Sequence, residues 1–197
     1  MDNCLVVIIA YRLSERKTLM NDPYKKCPAL ETEHFILRLV QIEDAEDLLA
    51  CYSDPKAQAF FNIDNFPVDC RLHTVDEMKK YIEFWLMEYA QEAYIRFAIV
   101  DKSINKAVGT IEMFGMTGKY KTDPGVLRID IAPDYESTSC LKEILNVCVE
   151  NFYDLFDVGT MATKAIPQAV NRVEVLHEAG FHAGDFHGRE HYYLRLR

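Results

Sequence analysis

The sequence predicts a mixed α/β fold of the α+β type, in which the central sheet is mixed but mostly antiparallel. Apolar patterns of period two, which predict strands, and of period 3.6, which predict helices, both occur along the chain. The predicted strands first form an antiparallel meander and then alternate with helices in a β-α-β-α-β unit. At 197 residues, the chain is long enough for one domain with a full core.

The first half of this domain contains one predicted strand and two predicted helices. Residues 35–40 alternate between two faces, as in a strand with one buried face. Residues 45–52 have apolar side chains at helical spacing and follow an acidic stretch, which suits a helix start. A long helix over residues 74–92 is predicted from the apolar stripe of Met78, Tyr81, Ile82, Trp85 and Tyr89. We expect this stripe to be part of the core.

The second half contains the remaining strands. Strands are predicted over residues 94–101, 106–114 and 125–132, and a polar loop of hairpin length joins the first two. A helix with an apolar face follows, and then a β-rich run over residues 158–166. The next predicted helix, 167–179, stops at Gly180, and a last strand covers residues 193–197. This order gives the sheet its mixed character.

The net charge, the apolar run near the N terminus and the cysteine pattern argue against several classes of function. The net charge of −9 argues against nucleic-acid binding, because phosphate contacts need clustered Lys and Arg, and it favours a cationic or amine-bearing partner. The apolar run at residues 5–10 is too short to span a membrane and lacks the basic start of a signal peptide. Six cysteines without a C-x-x-C pair indicate reduced thiols. We therefore expect a cytoplasmic protein with no nucleic-acid or membrane partner.

The domain is predicted to span residues 30–197, after an N-terminal extension over residues 1–29. The extension is interpreted as a disordered tail, a short extra strand or, in its first nineteen residues, an artefact of the start site, with Met20 as the true start. Its role stays open at this point.

Four stretches carry more specific patterns, namely LETEHFILRLVQIEDAEDLLACYSDPKA, FAIVDKSINKAVGTIEMFG, IAPDY and VLHEAGF. Together they resemble the GNAT acetyltransferase superfamily, in particular its branch of ribosomal-protein and other N-terminal-amine acetyltransferases. The resemblance covers about residues 30–197. It implies a twisted sheet with helices on both faces, and a pair of parallel strands that splay apart to bind acetyl-CoA as co-substrate.

The resemblance places the phosphate-binding loop, whose family pattern is Q/R-x-x-G-x-G/A, on residues 136–141. All three defining positions differ, because Glu136 replaces Gln or Arg, Ser139 replaces Gly, and Leu141 replaces Gly or Ala. Glu136 is the costliest change, since an acid about 4 Å from a phosphate costs roughly 1 kcal/mol in water and about 4 kcal/mol at a protein surface. Backbone N–H groups and the helix dipole still favour an anion. The predicted site is therefore weakened, and it comprises Glu136, Ser137, Thr138, Ser139, Cys140 and Leu141.

The resemblance also implies contacts around the reacting group. A backbone N–H on the strand before the loop would donate to the thioester oxygen, which makes Ile131 and Ala132 candidates for cofactor binding, and Asn171 is a further candidate. A carboxylate base is expected on this strand or its neighbour, where Asp130 and Glu112 are available. The alternative for either acid is a structural, salt-bridged strand residue.

The usual acid of the family does not carry over. Many relatives have a tyrosine four residues before the terminal Gly-Phe pair, where this chain has Leu176. The branch often has Asn and Ser earlier in the same helix, and those positions hold Ala169 and Arg172. Cys140 is more simply a small first-turn residue than a reactive thiol.

No metal site is predicted. The four histidines near the C terminus are spaced unlike any compact zinc pattern, and they fall on different predicted elements: His177, His182, His187 and His191.

Two functions stay open from the sequence. The first is transfer of an acetyl group from acetyl-CoA to a primary amine, either on a small molecule or at a protein N-terminus. The second is a catalytically inactive GNAT-fold protein that acts as a binding or regulatory module, because the loop glycines and the usual acid are both missing. Either would act as a monomer or a homodimer.

Overall fold

The structure, a computed structural model, describes residues 22–62, 64 and 72–197. Most of the predicted N-terminal extension, including Met20, lies outside the described residues.

An eight-stranded mixed sheet lies at the centre of the fold, with the strand order β1-β2-β3-β4-β5-β6-β8-β7. The strands are β1 Leu30–Glu31, β2 Phe35–Leu39, β3 Ile95–Asp101, β4 Lys106–Phe114, β5 Gly125–Ile131, β6 Thr160–Lys164, β7 His182–Ala183 and β8 Tyr192–Leu196. Neighbouring strands pair antiparallel throughout this sheet, except that β5 and β6 are parallel. The predicted mixed, mostly antiparallel sheet is confirmed.

Helices cover both faces of the sheet. They are α1 Ala45–Ser53, α2 Pro55–Gln58, α3 Val75–Ala90, α4 Thr138–Leu155 and α5 Val170–Glu178, with 3-10 turns at Ile42–Asp44 and Pro133–Tyr135. Thr74 starts α3 with a capping box, in which its hydroxyl accepts from the Glu77 N–H while the Glu77 carboxylate accepts from the Thr74 N–H. None of these five helices is both long and apolar enough to cross a membrane.

Two hydrophobic clusters hold these layers together. One lies between α4, α5 and the sheet, and Phe97, Ile111 and Phe152 are completely buried in it. The other lies under α1 and α3 on the opposite face, and it includes Ile82 and Trp85 of the predicted apolar stripe. Most of that stripe is core, as predicted, because burial of apolar surface is what fixes an amphipathic helix against a sheet.

Short elements were absent from the prediction. Strands β1 and β7 have two residues each and α2 has four, so they are too short to show a period. Helix α5 also begins at Val170 and not at residue 167, since Pro167 is followed by a turn before the helix starts.

Candidate functional site

The parallel strands β5 and β6 separate along their length. They pair only at Gly125, Val126 and Leu127 of β5, although β5 continues to Ile131. A small cavity of about 20 Å³ lies where the strands part, between Ile129 of β5, Thr163 of β6 and the inner faces of α4 and α5. This volume holds about one water molecule.

The first turn of α4 lies beside this separation, since Leu141 of this turn lines the cavity. Ser137 is the N-cap, and its hydroxyl accepts from the Cys140 N–H at 3.3 Å. Among the described residues, the N–H groups of Thr138 and Ser139 have no hydrogen-bond acceptor. Unpaired N–H groups at the start of an 18-residue helix are suited to an anion, because the helix dipole adds to their partial charges.

Glu136, the acid predicted to disfavour phosphate, is neutralised by Arg172 of α5. The Arg172 Nε donates to Glu136 Oε1, and the two side chains are 8% and 12% exposed. Arg172 Nη1 also donates to the carbonyl oxygen of Ile129 at 2.8 Å and to that of Phe60 at 3.2 Å. The guanidinium therefore spans the space between α5 and the exposed edge of β5.

The other loop residues are arranged as follows. Leu141 is buried in the core, so its side chain points away from the loop. Asn171 donates from Nδ2 to the backbone oxygen of Glu136 at 2.6 Å, and it thereby fixes the turn before α4. Ser139 is exposed and Cys140 is half-buried in the first turn of the helix. The predicted loop residues thus come together around one helix start.

The backbone N–H groups of Ile131 and Ala132, the two strand residues predicted to bind the cofactor, point in opposite directions. The Ala132 N–H donates to the Val108 carbonyl oxygen at 2.9 Å, so it is used in the pairing of β5 with β4. Residues of an antiparallel strand alternate in the direction of their backbone groups, and the Ile131 N–H therefore points toward the separation between β5 and β6. Ile131 is the better placed donor of the two.

Asp130 is a completely buried hub of hydrogen bonds. Its carboxylate accepts from the Tyr52 hydroxyl at 3.0 Å, from Arg96 Nη1 at 3.1 Å and from Arg128 Nε at 2.9 Å. Burial alone would raise the pKa of Asp130, but the charges of Arg128 and Arg96 outweigh burial and hold that pKa below its ordinary value. A carboxylate held ionised in this way, with no exposed surface, has the geometry of the salt-bridged alternative and not that of a base open to substrate.

Two members of this buried network, Arg96 and Thr110, could be assigned no site role from the sequence. The Arg96 guanidinium lies 4.7 Å from the centre of the Trp85 ring, and the Tyr52 hydroxyl is 2.7 Å from that of Thr110. A local signal was available, because Arg96 interrupts an otherwise apolar strand. A charged residue in such a position needs a buried partner.

Glu112 lies at the edge of the same network and reaches a cavity. Its carboxylate accepts from Arg96 Nη2 and is 16% exposed. The cavity, of about 240 Å³, has Glu112 and Arg128 in its wall and aromatic side chains around it, namely Phe114, Tyr120, Phe186 and Tyr192. Glu112 is thus the one of the two predicted acids that a ligand in this cavity can reach.

The histidines of the C-terminal part are dispersed. His177 on α5 packs edge-on against the Tyr193 ring at 5.5 Å. Within residues 22–62, 64 and 72–197, no three His, Cys, Asp or Glu side chains are grouped as a metal site would need.

A family comparison agrees with this geometry. Residues 34–182 match the family described as "Acetyltransferase (GNAT) domain". The chain belongs to this family. The matched range begins just before β2 and ends at β7, so it includes the separated strands, the start of α4 and the Glu136–Arg172 pair.

A curated relative is named as an N-acetyltransferase. The chain is 22% identical over 122 residues to the "Uncharacterized N-acetyltransferase YoaA" of Bacillus subtilis (strain 168). This alignment covers 62% of the chain and 64% of the relative, so the chain spans less than two thirds of that protein's length.

Solved acetyltransferase structures share the fold at low sequence identity. A GNAT-family acetyltransferase from Bacillus anthracis has a TM-score of 0.65 at 15% identity, over 86% of this chain and 98% of that one. The ribosomal-protein-S5-alanine acetyltransferase of Vibrio fischeri has a TM-score of 0.63 at 16% identity, over 86% and 96%. The microcin C7 self-immunity acetyltransferase MccE, solved with acetyl-CoA and AMP, has a TM-score of 0.63 at 12% identity, over 84% and 94%. These matches establish the GNAT fold.

Proposed function

We propose that this GNAT protein transfers an acetyl group from acetyl-CoA to a primary amine in the cytoplasm. The observation that carries the proposal is the junction of the separated β5–β6 pair with the unpaired N–H groups of Thr138 and Ser139. Separated strands expose backbone donors and acceptors for an extended ligand, and the helix start offers donors for its phosphates.

The residues present fit the diphosphate end of acetyl-CoA. Arg172 has a buried Nη2 without a hydrogen-bond partner among the described residues, and its Nε donates to the Glu136 carboxylate, two residues before Thr138. The diphosphate would be held by the N–H groups of Thr138 and Ser139. When bound, acetyl-CoA supplies an acetyl group activated as a thioester.

The side chains around the reacting end have separate tasks in this proposal. The Ile131 N–H stabilises negative charge on the thioester oxygen as the acceptor attacks. Glu112 takes the proton of the acceptor's ammonium group, directly or through a water, because an amine attacks only when it is neutral. The second proton that the amine loses on forming the amide balances the charge of the CoA sulfur, which would leave as the thiol. Asp130 acts as a positioning residue, which holds Arg96 and thereby orients the Glu112 carboxylate.

The acceptor binds in the cavity lined by Glu112 in this proposal. Its aromatic walls suit the apolar part of an amine-bearing small molecule or the first side chain of a protein N-terminus. The second option is supported by the resemblance to the ribosomal-protein and N-terminal-amine branch, and by the fold shared with the Vibrio fischeri enzyme. The acceptor would enter from the face of the sheet that carries α1 and α3.

A turnover assay tests the proposal. Release of CoA thiol would be followed with acetyl-CoA and a panel of small amines and short peptides with free N-termini, and the acetylated product would be identified by mass spectrometry. We expect acceptor-dependent thiol release for at least one amine. Binding of acetyl-CoA without transfer to any member of the panel would count against catalysis.

A second function is an inactive GNAT-fold binding or regulatory module. It is favoured by the narrow space of about 20 Å³ between the strands and by Leu176, buried where relatives have a tyrosine acid. The double variant E136Q/S139G separates the two functions. If it gains affinity for acetyl-CoA while neither it nor the unchanged protein acetylates any amine, the module is the better description, and turnover by the unchanged protein eliminates it.

A further inference from the structure

We propose that Arg172 is the cation that binds the cofactor's diphosphate, and that Glu136 takes the place of that ligand in the free protein. The inference rests on the proposed function for the identity of the ligand. The site itself specifies only a phosphate-bearing anion, because its donors are a guanidinium group and backbone N–H groups.

The pairing between the two side chains is incomplete. An arginine and a carboxylate can form two parallel hydrogen bonds, but here only Nε and Oε1 are joined. Arg172 Nη2 and Glu136 Oε2 are both buried and have no hydrogen-bond partner within the described residues. Unpaired buried polar atoms are unfavourable, so the pair is well suited to exchange for a ligand that satisfies the arginine more fully.

The position of the pair makes a phosphate the matching ligand. Arg172 is 7% exposed and approaches from α5, while Thr138 and Ser139 present unpaired N–H groups from the start of α4. The guanidinium thus lies at the turn that leads into α4, and the negative charge that it contacts there is the Glu136 carboxylate. A phosphate group carries more charge and more acceptor oxygens than a carboxylate.

The pair also differs from the loop pattern in which element carries the basic group. That pattern has Gln or Arg at the position of Glu136, whereas here the arginine stands 36 residues later, on α5. The basic group is retained at the loop in space although it is absent from it in sequence. This explains how a loop with an acid at its first position can still bind an anion.

Opening of the strand separation is coupled to this exchange. Arg172 Nη1 donates to the Ile129 carbonyl oxygen at 2.8 Å, on the exposed edge of β5 that an extended ligand would contact. An anion that draws the guanidinium toward the helix start also draws it away from that edge. We therefore expect binding of the diphosphate to widen the space between β5 and β6.

Calorimetric titrations test the inference without any turnover. CoA and inorganic diphosphate would be titrated into the unchanged protein, E136Q and R172Q. Loss of the competing carboxylate in E136Q should tighten binding of both ligands by about tenfold. Loss of the guanidinium in R172Q should weaken both by about 10- to 100-fold. The variant K142Q/E178Q removes an exposed ion pair that joins the same two helices at 2.8 Å, and it should change neither affinity.

Each result decides the matter. Tighter binding in R172Q would show that the guanidinium only obstructs the cleft, and unchanged binding in E136Q would show that the carboxylate does not compete, so either result overturns the inference. If R172Q does not fold, as judged by the fluorescence of Trp85, the sole tryptophan, E136Q alone decides. The shifts in affinity can appear in a protein that acetylates no amine, in which case the inference stands and the proposed function fails. Turnover without those shifts would support the proposed function and overturn the inference.

Discussion

Arg96 Nη1 lies 3.1 Å from Asp130 Oδ2, and both side chains are at most 2% exposed. Arg96 and Arg128 both form an ion pair with this one completely buried carboxylate, and Arg96 also pairs with Glu112. Removal of one member of a buried ion pair leaves the other charge without compensation in a medium of low polarity. The Asp130 carboxylate therefore stabilises the fold at the centre of the sheet.

We predict that D130N lowers the free energy of unfolding by about 3 to 5 kcal/mol. Urea denaturation followed by Trp85 fluorescence measures the change directly, because the Trp85 ring lies over Arg96. The control is D154N, which breaks an exposed pair with Arg197 and should cost at most about 1 kcal/mol. A D130N protein as stable as D154N would show that Asp130 is not the structural centre of the network.

Glu112 is expected to act in proton transfer. In E112Q, the turnover number should fall by about 10²- to 10⁴-fold, whereas the affinity for acetyl-CoA should stay within about twofold. Steady-state kinetics and calorimetry, both below the unfolding temperature of the variant, give the two values. E83Q, on the exposed side of α3, is the matched control. Unchanged turnover in E112Q would exclude Glu112 as the base.

Gly109 permits close contact between β4 and β5. A Cβ at this position would lie 2.4 Å from the Asp130 carbonyl oxygen and 2.7 Å from the Ile131 Cα. G109A must therefore move backbone atoms, and we expect a loss of about 1 to 3 kcal/mol in unfolding free energy together with weaker binding of acetyl-CoA. G159A, whose Cβ would approach only a side-chain oxygen at 3.2 Å, should cost less. Equal stability of G109A and the unchanged protein would refute this reading of the contact.

The exposed His34–Glu143 pair makes stability depend on pH. His34 Nδ1 is 2.9 Å from Glu143 Oε2, and the hydrogen bond and charge of Glu143 raise the pKa of His34 above its ordinary value. The stabilisation is therefore complete below the ordinary imidazole pKa and is lost as pH rises through the raised folded-state pKa. The denaturation midpoint, measured from about pH 6 to about pH 9, should fall less steeply in H34N than in the unchanged protein. The exposed-histidine control H182N should keep the full slope, and identical slopes in all three proteins would rule out the linkage.

Much of the fold can be predicted from the sequence because its main helices and strands are long and have periodic apolar patterns. Helices α3 and α4 have 16 and 18 residues, and their apolar stripes fix both the type of element and the buried side. The order of strands and helices then leaves few arrangements of the sheet. The two-residue strands β1 and β7 have no period of their own, and they form only because neighbouring strands offer them backbone partners.

The candidate site was predicted less completely, because its decisive contacts are long-range. The pattern over residues 136–141 located the helix start, but the partner of Glu136 could not be predicted from local spacing. Arg172 reaches it only because β5 and β6 separate and α5 packs beside α4. Likewise, the alternation of side chains along β5 assigns Asp130 to one face of the sheet. The complete burial of Asp130 depends on how α1 and α3 cover that face.

A crystal structure of the protein with acetyl-CoA tests the central claim most directly. We predict the diphosphate within hydrogen-bonding distance of the N–H groups of Thr138 and Ser139, the thioester oxygen at the Ile131 N–H, and the Glu136–Arg172 contact broken. Acetyl-CoA bound elsewhere on the protein, or no bound acetyl-CoA in crystals grown with a saturating concentration, would contradict the account.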